Sequence, residues 1–258
     1  MSDPIDKRRV DTYEGDRQGP VRIREGVPYS DRDTTLSLLP GAAVGEWLAD
    51  NHAFIRGRLL DCGCGNRPYA AWYAPLIEGS VGLDAQRAHE VDVVGFADSL
   101  PFADETFDTV LCTEVLEHVT NAELCVAELF RVTRPGGYVL VTVPYLYPTH
   151  ELPYDFRRFT HLGLLSVLQR AGFDEVVVEA KGGLGLLVSH YIVLAIVNLL
   201  DGIGRKLGLR RRVTQGRRTR PFLWAPQEAR IRMRRIPRKV KGSAERASLG
   251  YMAVGRRP

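Results

Sequence analysis

Short apolar runs alternate with segments of helical periodicity between residues 58 and 180, and this alternation limits the possible folds more than any other feature. The runs occupy 58–62, 80–84, 91–98, 107–112, 138–144 and 175–180, and helical patterns lie at 114–119, 122–133 and 161–173. A last run follows at 249–257. Strands separated by helices predict an α/β fold with a doubly wound, mostly parallel seven-stranded sheet. A ligand is then expected over the carboxyl ends of the strands.

Composition excludes several other classes of protein. Of the 258 residues, 45% are apolar and 26% charged, which is typical of a globular chain and not of a disordered or collagen-like one. The cysteines at 62, 64, 112 and 125 stand in apolar segments without C-x-x-C spacing. We expect them to be core residues in a reducing compartment. The amino-terminal residues show no apolar leader, so a cytoplasmic protein is expected.

The pattern divides the chain into four parts. Residues 1–33 are polar without sustained periodicity and are interpreted as a mobile amino-terminal arm or lid. Residues 34–181 carry the alternating core. An apolar helix and a basic insertion follow at 182–247, and 248–258 supply the closing strand and the tail.

Charge is distributed very unevenly. Residues 1–200 hold 17 Lys and Arg against 28 Asp and Glu, a net charge of −11, whereas residues 201–258 hold 18 against 3, a net charge of +15. Before this basic region, residues 182–200 contain no charged residue. This helix could cover an acceptor pocket or form a homodimer interface, which is the preferred interpretation. Contact of 182–241 with an anionic membrane surface comes next, and a membrane span comes last.

Glycines and acids stand where the first three predicted strands end. Gly63 and Gly65 follow the first strand and permit a tight turn with close approach of a ligand to the backbone. Asp84 ends the second strand, where a carboxylate can bind ribose hydroxyls. Asp98 and Ser99 end the third, where a carboxylate can accept a hydrogen bond from an adenine amino group. A dinucleotide fingerprint would need a third glycine where the chain has proline, which argues against a pyrophosphate cofactor.

Four segments, LLDCGCG, VGLD, ADSLPFADETFDTVLCTEVLEHV and LFRVTRPGGYVLVTVP, resemble successive motifs of class I S-adenosylmethionine-dependent methyltransferases of the small-molecule type. The resemblance covers residues 58–180 and the closing strand. It implies S-adenosyl-L-methionine as cofactor, with a methionyl end lined by Asp61, Gly63 and Gly65. It also implies ribose contact by Asp84, adenine contact by Asp98 and Ser99, and a sulfonium side near Thr113 and Glu114. Arg67 replaces the usual third motif glycine.

The stretch HELPYDFRRFT (150–160) is similar to a branch of these enzymes that occurs in bacterial polysaccharide and glycoconjugate gene clusters. The resemblance does not itself identify the acceptor; the acceptor we expect is a sugar hydroxyl on a glycan, a glycolipid or a glycosylated metabolite, which would be O-methylated. His150 and Asp155 are the catalytic candidates, with His150 as general base and Asp155 orienting it. The alternative is that both side chains only hold the loop in place.

Other functions remain open at this stage. The basic region would also suit an RNA methyltransferase, although no RNA-binding motif is present, which makes nucleic acid the less favoured partner. A non-catalytic protein that keeps a cofactor pocket is the second alternative. Glu114, Glu117 and His118, together with His150, could in principle bind a metal, but capping and packing at a helix end is the preferred interpretation and no metal is expected.

Overall fold

The computed structural model describes residues 21–24, 27–30, 38–87, 90–151, 153–206 and 247–258. Its helices and strands follow one another along the chain as β1 (Val21–Arg24), β2 (Val27–Ser30), α1 (Leu38–Asp50), β3 (Arg58–Cys62), α2 (Ala70–Tyr73), β4 (Gly79–Asp84), β5 (Val93–Val94), β6 (Phe107–Thr113), α3 (Ala122–Val132), β7 (Thr133–Pro144), α4 (His161–Ala171), β8 (Asp174–Ala180), α5 (Leu184–Lys206) and β9 (Gly250–Arg256).

Seven strands form one sheet in the order β5-β4-β3-β6-β7-β9-β8, which confirms the predicted fold class. Neighbouring strands from β5 to β7 are parallel, and β9 runs antiparallel to both β7 and β8. The central strands are buried on both sides, because α3 and α4 cover one face and α1 covers the other. All four cysteines are buried free thiols, as the sequence indicates.

Two predicted elements differ from the structure. The third strand, expected over 91–98, contains only Val93–Val94, since the chain turns back at the Phe96–Ser99 bridge. The helix expected at 114–119 is absent: these residues form turns. Glu114 has a φ of 54°, and its backbone N–H donates to the Thr142 carbonyl at 2.9 Å. This left-handed conformation is incompatible with a right-handed helix, so the prediction that Glu114 and His118 share a helix face is wrong.

Helix α5 has one apolar stripe that faces solvent. Exposed side chains recur every three or four residues along it, at Leu184, Val188, Ile192, Ile196, Leu199 and Ile203. The opposite face buries His190, whose ring stacks on Tyr147. Within the described residues, no helix has the length and hydropathy needed to cross a membrane. The predicted basic clusters between 207 and 246 lie outside the described residues, as does most of the predicted arm, of which 21–24 and 27–30 pair as β1 and β2.

Candidate active site

The turn after β3 forms the first wall of the site. Gly63 and Gly65 have φ angles of 72° and 50°, the left-handed conformation that the sequence predicts. A side chain at position 63 would collide with Val115, whereas position 65 faces open space. Asp61, 2% exposed, lies at the end of β3 and accepts a hydrogen bond from the Tyr73 hydroxyl at 2.8 Å. Burial raises the pKa of Asp61 to about 6. Its neighbours therefore offset only part of the cost of burying its negative charge.

Asp84 holds this turn against the end of β4. Its two carboxylate oxygens accept hydrogen bonds from the backbone N–H groups of Gly65, at 2.9 Å, and Gln86, at 2.8 Å. Each carboxylate oxygen has more than one lone pair, so these bonds leave capacity for hydroxyl donors of a ligand. The carboxylate therefore fixes the loop and can still bind a ribose.

Arg67 occupies the position of the missing motif glycine. It adopts a φ of 49°, which is the conformation a glycine would supply there. Its guanidinium pairs with Asp92 and fills the space above Gly82, where a side chain would collide with it. The Gly82 N–H also donates to Asp92, at 2.8 Å. The departure from the motif thus adds a link between the turn after β3 and the residue before β5.

The remaining predicted cofactor residues lie along the same edge of the sheet. Asp98 and Ser99 stand in the turn after β5, where the Ser99 N–H donates to the Phe96 carbonyl at 3.1 Å. The adjacent Leu100 is buried and anchored by its N–H to Glu128 at 2.8 Å. Thr113 is the last residue of β6. The edge at which parallel strands end therefore brings together the residues that the sequence assigns to the cofactor.

Glu114 is held by two donors. Lys181 Nζ lies 2.7 Å from Glu114 Oε1, and the Thr142 hydroxyl donates to the same oxygen at 2.7 Å. Burial alone would raise the pKa of Glu114, but the charge of the buried Lys181 and the hydrogen bonds from Lys181 and Thr142 together lower it. This ion pair joins the residue after β6 to the residue after β8.

His150 and Asp155 lie in the segment that follows β7, beside each other as predicted. Asp155 Oδ2 accepts from the His150 backbone N–H at 2.9 Å and lies 3.4 Å from its Nδ1. Burial alone would raise the pKa of Asp155, but the Arg158 guanidinium and the His150 N–H lower it to about 2. Burial and the nearby His118 ring lower the pKa of His150. His150 is therefore a neutral imidazole near pH 7 and can accept a proton.

Glu117 and His118, in the turn after β6, lie beside His150. Glu117 is fully buried, and its Oε1 lies 3.6 Å from His118 Nε2 and 3.8 Å from His150 Nε2. The rings of His118 and His150 meet edge to face, with centroids 4.8 Å apart. Burial and the neighbouring Glu114 carboxylate hold the pKa of Glu117 well above its usual range. Because the segment is a turn, the predicted role of these residues in capping a helix does not apply.

Comparison with known proteins points to one family. Residues 60–141 match the family described as Methyltransferase domain. A fatty-acid O-methyltransferase from Mycolicibacterium smegmatis is 32% identical over 206 residues, covering 72% of each chain. A protein of the same organism, named "Probable S-adenosylmethionine-dependent methyltransferase", is 30% identical over 161 residues, 53% of this chain and 63% of the relative.

The fold agrees with this match. A SAM-dependent methyltransferase from Thermotoga maritima superposes with a TM-score of 0.50 at 16% identity, covering 85% of this chain and 91% of that one. The chain belongs to the S-adenosylmethionine-dependent methyltransferases.

The described residues fit the cofactor of these methyltransferases. The open space in front of Gly65 leaves room for a ligand against the backbone. Asp61 is a buried carboxylate with an incompletely compensated charge, which suits the ammonium group of a methionyl moiety. Asp84 would bind the ribose hydroxyls, and Asp98 and Ser99 would flank the adenine. The glycines and strand-end acids of the sequence thus lie at the same edge of the sheet.

Sequence reasoning missed two contributors to the site. Lys181 follows β8 directly and pairs with Glu114, although nothing in its local pattern separates it from a surface lysine. Tyr73 donates to Asp61 from α2. Both act through a partner that is distant along the chain, and a single sequence carries no sign of such a pairing.

We predict that the affinity for S-adenosylmethionine falls as the pH is lowered through about 6. The cationic cofactor favours ionised Asp61, whose pKa in the free protein is raised to about 6, so each proton that binds Asp61 opposes the cofactor. The dissociation constant should rise about tenfold between pH 7 and pH 5 in calorimetric titrations. Asp61→Asn should bind more weakly at pH 7 and lose most of this dependence. An unchanged pH profile in that variant would contradict the assignment.

Proposed function

We propose that this methyltransferase transfers its methyl group to a hydroxyl oxygen of a sugar on a glycan, a glycolipid or a glycosylated metabolite. The observation that carries the proposal is the charge of the region beyond β7. Among the described residues there, Lys181 is paired with Glu114 and Arg158 with Asp155. Arg157, in the segment after β7, donates to the Thr120 carbonyl and lies 4.0 Å from Glu123 Oε2. Each of these three cations thus has a partner within the described residues, and Glu117 is a further carboxyl group there. A neutral, polar acceptor suits these surroundings better than an anionic one.

The bound cofactor supplies an electrophilic methyl group in this reaction. The protein must hold the acceptor oxygen in line with it, which can account for about 7 to 11 kcal/mol of the barrier. A hydroxyl must also lose its proton as the bond forms. His150 is the proposed base: its lowered pKa leaves it neutral, and its Nε2 faces the interior of the site next to Glu117. Asp155 would act as a positioning residue through the backbone of His150.

A fatty-acid acceptor is the second candidate, because the relative named for that activity covers most of this chain. The two candidates differ in the bond they form. A methyl ether on a sugar resists alkali, whereas a methyl ester on a carboxylate is hydrolysed to methanol.

We predict that label from methyl-labelled cofactor enters the lipid-linked glycan fraction of a cell extract and survives mild alkali. Acid hydrolysis followed by mass spectrometry should then recover an O-methyl sugar. Release of the label as methanol would support the fatty-acid candidate instead. Label in a nuclease-sensitive fraction would support an RNA methyltransferase. Heat-inactivated protein serves as the control for each of these measurements.

The role of His150 has its own test. His150→Gln should lower kcat for a hydroxyl acceptor by roughly 10² to 10⁴ while the affinity for S-adenosylmethionine stays near wild type, because only proton removal is impaired. His52→Gln, at an exposed position before β3, is the matched control. Normal turnover of the hydroxyl acceptor by His150→Gln would argue against base catalysis by this residue. A carboxylate acceptor is already ionised, so its turnover should not depend on His150 as a base.

The proposed acceptors include lipid-linked glycans, and helix α5 offers a means of reaching them. Its exposed stripe is apolar along its length, and residues 201–258, which include the last turns of the helix, carry the net charge of +15. An apolar helix face beside basic residues is the combination that binds an anionic membrane surface in the plane of the bilayer. The opposite face lies against Tyr147, next to His150. A membrane bound along the stripe would therefore lie near the acceptor region.

We predict that the full chain co-sediments with vesicles containing anionic lipid at physiological salt. Ile192→Glu should reduce binding several-fold, because it places a charge in the stripe. Asn198→Glu adds the same charge at an exposed position off the stripe and should reduce it less. Equal losses in the two variants would show that only charge matters. Retention by RNA with steep salt dependence, without vesicle binding, would favour the nucleic-acid alternative.

A further inference from the structure

We propose that Glu117, His118 and His150 form a binding site for a divalent transition-metal cation. One ligand atom of each residue lies within 4.8 Å of the others. A cation about 2.1 Å from each atom would separate neighbouring ligands by roughly 3.0 to 3.4 Å, so the three side chains must move closer together to complete the site. Two imidazoles and one carboxylate suit manganese, iron, cobalt, nickel or zinc better than magnesium or calcium.

The strongest sign of a missing ligand is the Glu117 carboxylate. It is fully buried, and within the described part of the chain neither of its oxygens has a hydrogen-bond partner. Buried carboxylates normally receive hydrogen bonds, pair with a cation or coordinate a metal. Lys181 is a buried cation nearby, but it forms an ion pair with Glu114. Glu117 therefore points at the two imidazole nitrogens with its bonding capacity unused.

Both histidines are oriented as metal ligands are. His118 Nδ1 lies 2.9 Å from the Tyr154 carbonyl, and His150 Nδ1 lies 3.3 Å from the Pro148 carbonyl. A carbonyl only accepts hydrogen bonds, so each Nδ1 carries the proton and each Nε2 keeps its lone pair. Both lone pairs are then available on the side of Glu117. Fixing the outer nitrogen of a histidine in this way is a regular feature of metal sites.

The surrounding backbone holds the three ligands together and leaves one side open. The Phe156 N–H donates to the Glu117 carbonyl at 2.9 Å, which joins the turn after β6 to the segment after β7. Glu151 Oε2 lies 3.8 Å from His118 Nε2 on the more exposed side and can supply a fourth oxygen. Three fixed ligands leave coordination positions for oxygens of a bound molecule.

The following step rests on the proposed function. Two neighbouring hydroxyls of a sugar could coordinate the cation together, which would orient one of them toward the methyl group. Coordination lowers the pKa of that hydroxyl, so its proton passes to solvent. The oxygen lone pair forms the new C–O bond, and the C–S bond breaks with its electron pair remaining on sulfur. With the cation bound, the Nε2 lone pair of His150 is used for coordination and not for proton removal.

The test uses untagged, full-length protein treated with a chelator and then titrated calorimetrically with Mn²⁺ or Zn²⁺. We expect one equivalent to bind per chain. Glu117→Gln and His118→Gln should each weaken binding at least 100-fold. Glu123→Gln, an exposed acid on α3, and His52→Gln should bind as wild type does. Retained affinity for S-adenosylmethionine shows that each variant is folded.

Absence of binding by the wild type, or equal binding by the Glu117 and control variants, would overturn the metal site. Activity separates this proposal from the preceding one. If chelator-treated protein still methylates a sugar hydroxyl at the full rate, the metal site has no role in the reaction and the proposed function stands. If one cation binds through these residues but the label appears in methyl esters, the site stands and the sugar acceptor is wrong.

Discussion

The parallel pairing of β6 with β7 is the constraint on which the acceptor side of the site depends. Thr113, the last residue of β6, is in register with Thr142, two residues before the end of β7, so the two strands end close together at the same edge of the sheet. The bond from the Glu114 N–H to the Thr142 carbonyl extends this pairing by one residue and then turns the chain. The segments that follow consequently start side by side. Glu117 and His118 come from one of them, and His150 comes from the other.

The sequence predicted those parts of the molecule whose determinants are local. Strand β3 was predicted with its observed bounds, because buried strands read as continuous apolar runs. The sequence also assigned Gly63, Gly65 and Asp84 to the ligand site, because they stand where predicted strands end. The helix at 114–119 was wrong for a physical reason: Val115, Leu116 and Val119 fit a helical face, but a backbone bond to a distant strand decides the conformation of Glu114. Lys181 owes its role to a tertiary partner, Glu114, in the same way.

The acceptor side contrasts with the cofactor side in its electrostatics. Two backbone hydrogen bonds stabilise the carboxylate of Asp84. Glu117 receives none within the described residues, although it is more deeply buried. Proton removal and metal coordination would both use the Nε2 lone pair of His150. At most one of these roles therefore operates at a given moment. The arrangement of Nδ1 partners serves both roles equally, because each requires a free Nε2.

Arg67 and Gly82 make two positions interdependent. The guanidinium occupies the volume that any side chain at position 82 would need, and its positive charge shares Asp92 with the Gly82 N–H. Replacement of the arginine by glycine would leave a gap and an acid without its cation, whereas a larger residue at 82 would require the arginine to leave first. In a lineage of such sequences, the arginine should therefore be lost before position 82 gains a larger side chain, although one position lies in the turn after β3 and the other within β4.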